Sequence, residues 1–136
     1  MAVTTEGTLH VELVAADRTV WSGEAAMVIA RTTEGDIGVL RGHAPLLSLM
    51  SQAVVEIQVA GTDDVVVAAV SGGFISVAND RVSVLSEVVE LGEEIHVDAV
   101  KADLEQAREH LLQSRDEAEQ EIRHAEVRLR AAERVS

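Results

Sequence analysis

The sequence predicts an α+β protein: an N-terminal antiparallel β-sandwich of about ten strands, followed by a C-terminal antiparallel two-helix hairpin. Three observations carry this. Of 22 valines, 19 lie in residues 1–97 and three in residues 98–136, and valine, stiff at its first side-chain torsion, suits a pleated sheet. Residues 98–136 carry ten acids and seven bases among 39 positions, with the signs interspersed, as on an exposed helix. Upstream, short apolar runs follow one another through turn residues with no helical stretch between them, which argues against a parallel sheet. The division places the sandwich at 1–90, a linker at 91–97 and the hairpin at 98–136.

The elements follow in order. Leu9, Val11, Leu13 and Ala15 alternate with His10, Glu12 and Val14, the period of a strand. Asp17-Arg18 turns the chain. A second run over 25–31 ends at Glu34-Gly35-Asp36, and a short strand over 37–40 leads into Arg41-Gly42-His43-Ala44-Pro45. Runs over 54–60 and 65–70 flank Gly61-Thr62-Asp63-Asp64, a hairpin by turn chemistry, and runs over 74–78 and 81–89 flank the two-residue turn Asn79-Asp80. In the tail Asp98 is placed to cap a first helix striped by Val100, Leu104, Ala107 and Leu111. Ser114-Arg115-Asp116-Glu117 is a capping box for a second, striped by Ala118, Ile122, Ala125, Leu129 and Ala132. An alanine seam buries little surface, so the hairpin is expected to pack weakly and to be able to detach.

Composition narrows the function. The chain has 136 residues and a formal charge of −13, which disfavours nucleic acid and anionic membrane surfaces. It has no cysteine, removing disulfides and thiolate chemistry. No apolar run reaches the roughly 18 residues of a membrane span, so direct membrane insertion is not expected, and the N-terminus lacks a signal-peptide pattern. Trp21 and Phe74 are the only aromatics, leaving no base-stacking platform.

A search for chemistry returns no catalytic group. The five histidines form no paired metal motif, and Glu121-Ile122-Arg123-His124 lacks the companion helices of a di-iron bundle. Ser71-Gly72-Gly73 lies between strands, where it reads as a turn or bulge at a close backbone approach. Asp63-Asp64 and Glu93-Glu94 read as solvated turn residues. The segment from Gly35 to Leu46 is different, with three glycines, the sole proline and a histidine in twelve residues.

That segment resembles the epsilon-subunit family of rotary ATP synthases (delta in mitochondrial nomenclature). A Gly-Asp-Ile-Gly run at 35–38 and Gly-His-Ala-Pro-Leu at 42–46 match the family pattern unbroken. Ser71-Gly72-Gly73-Phe74 matches its Ser-Gly-Gly-Phe segment, 81–85 its next strand, and the opening at 9–14 with Trp21-Ser22-Gly23 its first hairpin. The likeness runs through nearly the whole chain.

The resemblance implies a non-catalytic rotor subunit of the central stalk, at the cytoplasmic face of the cell membrane. Its sandwich would seat on the gamma subunit and the c-subunit ring, with Asp36, Arg41, Gly42 and His43 at the contact. Its helices would move between a folded hairpin and an extended form that reaches the catalytic alpha/beta hexamer and inhibits ATP hydrolysis. Arg123, Arg128, Arg130 and Arg134 would meet an acidic segment of the catalytic beta subunit; a salt-laced exposed helix explains them equally. No cofactor is required. Regulatory ATP, as in some bacterial members, would engage Glu90, Asp98, Lys101, Arg130 and Arg134, but Lys101 stands where the family motif has arginine and cannot reproduce its planar fork. The rivals are a β-sandwich adaptor for an unrelated partner and an enzyme with a site at Asp63-Asp64.

Overall fold

The computed structural model describes residues 7–111 and 115–135. Nine strands precede two helices: β1 (Leu9–Val14), β2 (Thr19–Thr32), β3 (Gly35–Val39), β4 (Leu46–Met50), β5 (Ala53–Val59), β6 (Val65–Val70), β7 (Gly73–Ala78), β8 (Arg81–Leu85), β9 (Val89–Leu91), a 3-10 turn (Gly92–Glu94), α1 (Val97–His110) and α2 (Arg115–Val135). The strands form one sheet in the order β1-β8-β7-β4-β2-β5-β6-β9, with β3 on β2. Because β1 also pairs with β2, the sheet folds over on itself around an inner core of Leu9, Val11, Leu13, Val28, Ile57, Ile75, Val82 and Val84.

One pair departs from the expected antiparallel pattern: β1 runs parallel to β8. The reason is geometric. Strands β1, β8, β7, β4 and β2 close a ring of five, and an odd ring cannot alternate direction throughout. The long β2 serves both layers, pairing with β1 over its first half and with β5 and β3 over its second. A register irregularity between Ala25 and Met27 marks the transfer.

Three sequence expectations are corrected. The segment 46–50 is a strand that alternation did not reveal. The run expected at 81–89 divides into β8 and β9, because Ser86 turns inward: its hydroxyl lies 3.1 Å from the Ser71 hydroxyl and donates to the Val88 carbonyl. Asp98 does not cap α1. The N-cap is His96, without a side-chain cap bond, and Asp98 occupies the first turn, where its carboxylate still meets the positive end of the helix dipole. The capping box at Ser114 lies outside the described residues. The Asn79-Asp80 turn is as expected, both residues having positive φ (52° and 60°), the signature of a type I′ hairpin.

On the outer face of β1 and β2, Glu24 accepts hydrogen bonds from Thr8 (2.9 Å) and pairs with the His10 Nδ1 (2.8 Å). The bond from His10, then that from Thr8, hold the Glu24 carboxyl below its ordinary value of 4.5. A depressed carboxylate pKa contributes stability that is complete above the ordinary value and is lost as pH falls through the folded one. Glu24→Gln is therefore expected to lower the melting temperature by about 1–3 °C at neutral pH, the difference shrinking as pH falls below the ordinary value. Thermal melts across pH check this; a difference that grows on acidification refutes it.

Gly73 is fixed by a close approach. Its φ is 106°, and a Cβ there would collide with the Leu85 carbonyl oxygen. Gly73→Ala is expected to destabilise the chain by about 2–3 kcal/mol in chemical denaturation; a loss below half that would show that the β7–β8 junction yields.

Candidate functional site

The sandwich has two outer faces. That of β5 and β6 is covered by the helices: Val67 and Ala69 pack against Ile95, Val100, Leu104, Ala125, Val127, Ala131 and Ala132. The expected seam of α2 is therefore only part of its contact. Ala118, Ala125 and Ala132 are buried as predicted, but Val127 and Ala131 are buried as well, on a second stripe. A helix packed on both a neighbouring helix and a sheet needs two stripes, about a third of a turn apart. The fit is close at the 3-10 turn, where a Cβ on Gly92 would lie 2.6 Å from the Ala131 carbonyl oxygen.

The opposite outer face has no cover among the described residues. In antiparallel register Leu49 lies opposite Phe74, and Phe74 opposite Leu85; Leu47 stands two residues from Leu49 on the same face of β4. All four are exposed, Leu47 at 73% and Phe74 at 49%. They form a contiguous apolar strip on three adjacent strands. Such clustering marks a contact surface, where scattered apolar residues would not.

Beside this layer lies the β3–β4 connection. Leu40, Arg41, Gly42 and His43 make a β-turn in which the His43 N–H donates to the Leu40 carbonyl at 3.1 Å, with Gly42 at φ 81° as a type II turn requires. The Gly42 N–H donates to the Asp80 carboxylate at 2.7 Å, so the turn is tied to the β7–β8 hairpin. The His43 Nδ1–H donates to the Ala44 carbonyl at 2.7 Å, which presents Arg41, an exposed Leu40 and a half-buried imidazole together.

Asp36 does not join them. It is the second residue of β3, which separates it from Arg41 by roughly 15 Å of extended chain. There it accepts from the Arg31 Nε at 2.8 Å, and that bond, with the charge behind it, holds its carboxyl below the usual range. This pair borders a small hollow of about 140 Å³ with Glu56, Arg130 and Arg134. The contact residues expected as one bend thus occupy two places, a turn and a strand edge.

The hairpin is tied down by charge as well as packing. Arg128, with a side chain 20% exposed, stands 2.9 Å from Glu90 on β9 and 3.3 Å from Asp103 on α1. The Nε–H is not aimed at Glu90, so that contact is ionic attraction without an aligned hydrogen bond. Arg134 donates to Glu56 on β5 at 2.6 Å. Among the described residues, Arg123 and Arg130 are exposed without an ion-pair partner.

Of the residues considered for nucleotide, Glu90 and Arg134 are thus already engaged, Arg130 and Arg134 share a hollow with β-strand residues, and Asp98 and Lys101 lie in the first two turns of α1. Among the described residues no hydrogen bond or ion pair joins any two of these five. No group of three or more potential metal ligands occurs among the described residues. Sequence reasoning missed Leu47, Leu49 and Leu85 as surface residues, and Glu56 and Asp103 as partners of the tail arginines. The doublet of leucines on one side of β4 was the available signal.

Comparison with known proteins agrees with this architecture. The family described as ATP synthase, Delta/Epsilon chain, beta-sandwich domain matches residues 8–92. The ATP synthase epsilon chain of Streptomyces griseus subsp. griseus is 54% identical over 125 residues, covering 90% of this chain and 94% of that one. That of Thermobifida fusca is 46% identical over 126 residues, covering 91% of each. Among solved structures, a chain of the Euglena gracilis mitochondrial ATP synthase (OSCP/F1/c-ring) superposes with a TM-score of 0.81 at 25% identity, over 93% of this chain and 81% of that one. A chain of the Tetrahymena thermophila mitochondrial ATP synthase central stalk and c-ring shares the fold at 13% identity and a TM-score of 0.53, over 76% and 75% of the two chains. With the sandwich matched end to end and the helical tail within the aligned relatives, this chain belongs to the ATP synthase delta/epsilon chain family.

Proposed function

We propose that this chain is a non-catalytic rotor subunit that joins gamma to the c-subunit ring in proton-coupled ATP synthesis. It works as a peripheral component at the cytoplasmic face of the cell membrane. The observation that carries the reading is the uncovered strip of Leu47, Leu49, Phe74 and Leu85. Four large apolar side chains on one flat face call for a protein partner, and gamma is the occupant the family suggests. The turn at Arg41–His43, presenting a cation and an imidazole, is suited to the polar loops of the c-ring.

Regulation of hydrolysis is assigned to the hairpin. Its release exposes mainly alanine and valine from α2 and breaks the contacts of Arg128 and Arg134, which then join Arg123 and Arg130, already unpaired among the described residues, in reaching acidic groups on the catalytic alpha/beta hexamer. A switch needs states within a few kcal/mol, and a seam of small residues with partly exposed ion pairs is of that order. In the closed form Glu90 and Arg134 already have partners, so ATP would bind only by displacing them.

Two tests follow. A purified catalytic core containing gamma is mixed with the full chain, with a fragment ending at Val97 and with Leu49→Asp/Phe74→Asp. The fragment is expected to bind as the full chain does, the double variant to lose at least about 100-fold in affinity, and only the full chain to slow hydrolysis. Binding undiminished in the folded double variant would move the interface elsewhere. Inhibition by the fragment would remove the helices from regulation. Separately, Arg128→Ala is expected to accelerate amide exchange in α1 and α2 by about 5- to 30-fold, a local loss of about 1–2 kcal/mol, while β1, β7 and β8 keep their protection. Unchanged exchange would show that packing alone holds the hairpin.

A further inference from the structure

A hollow of about 510 Å³ opens between the start of β2, the β5–β6 hairpin, β9, the 3-10 turn and the end of α2. Its surface is mixed: Trp21, Val65, Leu91 and Val135 are among its apolar lining residues, and its polar side chains are Asp64 and Glu93. Val65 and Val135 are among the few large apolar residues exposed elsewhere than on the β4–β7–β8 strip. Neither carboxylate has an ion-pair or side-chain hydrogen-bond partner among the described residues, and no lysine or arginine lines the space.

We propose that this hollow binds an amphipathic organic cation, an apolar body bearing a single ammonium-type charge, and that its binding holds α2 in the docked position. Each feature selects part of that ligand. The volume lies in the range of small-molecule clefts. Valine and leucine walls favour an apolar body. Two unpaired carboxylates in a chain of charge −13 draw a cation and repel an anion. Trp21 adds an aromatic ring of the kind that best attracts a cation.

The coupling to α2 follows from the composition of the wall. Val135 belongs to α2, and Glu93 to the 3-10 turn against which Ala131 packs. When α2 leaves, the hollow loses one side, so the ligand binds the docked form more tightly and by linkage shifts the population toward it. The regulatory consequence rests on the reading of the hairpin given above; the binding itself does not.

Trp21 reports on the test directly, since it is the only tryptophan and the chain has no tyrosine. The full chain is titrated with benzyltriethylammonium, with benzenesulfonate as an anionic control and benzyl alcohol as a neutral one. A saturable change in Trp21 emission with the cation is expected, weakened about tenfold or more in Asp64→Asn/Glu93→Gln. The same cation is expected to slow amide exchange in α2 and to raise the melting temperature. No saturation by about 10 mM, or equal response to benzenesulfonate, overturns the site. Saturable binding with α2 exchange unchanged overturns the coupling. Since neither measurement involves another subunit, either failure leaves the rotor reading standing.

Discussion

A two-layer sandwich has two outer faces, and this chain carries enough helix for one. The inner core closes without help: Leu9, Val11, Leu13, Ile57 and Ile75 are fully buried between the layers. What remains is the outer surface of each layer. On β6, Val67 and Ala69 face outward and are covered by α2; on β4, β7 and β8, Leu47, Leu49, Phe74 and Leu85 face outward and are not. Among the described residues, one outer face is therefore docked within the chain and the other is left uncovered. The functional surfaces follow from that inequality.

The two contacts differ in kind. The uncovered strip is built of leucines and a phenylalanine, whose burial against a partner is worth about 1.5–3 kcal/mol each. The covered face is met chiefly by alanines and valines, supplemented by Arg128 and Arg134 at the edges. At the 3-10 turn the backbones come so near that a Cβ on Gly92 would lie 2.6 Å from the Ala131 carbonyl oxygen. Small residues let α2 lie near the sheet, and they also limit how much apolar surface the contact can hide. Closeness and weakness have one cause.

Much of this was legible beforehand, and the exceptions have physical reasons. The valine boundary located the end of the sandwich, and Asn79-Asp80 announced its turn because few residues tolerate positive φ at both positions. Alternation failed at β4 because both sides of that strand are apolar: Leu46 and Met50 face the core while Leu47 and Leu49 face outward. The second stripe of α2 was hidden because Val127 and Ala131 sit beside charged residues, Val127 between Glu126 and Arg128 and Ala131 directly after Arg130. The parallel β1–β8 pair depends on closure of the whole ring, which no local pattern records. At the candidate contact, the Gly-Asp-Ile-Gly and Gly-His-Ala-Pro motifs are adjacent in sequence, yet β3 lies between them and carries Asp36 away from Arg41.

The arrangement also separates what must stay fixed from what can move. The apolar strip lies on β4, β7 and β8, held by Gly73 against the Leu85 backbone and, through Asp80, to the turn at Gly42. None of these contacts involves a helix. Apart from α1, the contacts of α2 are chiefly with β5, β6, β9 and the 3-10 turn, on the other layer. Lifting α2 exposes Val67 and Ala69 but leaves the hydrogen bonds and packing of the strip in place. Anchoring through the strip, as proposed, would therefore let the tail change position without loosening the anchor, because the fully buried inner core stands between the two.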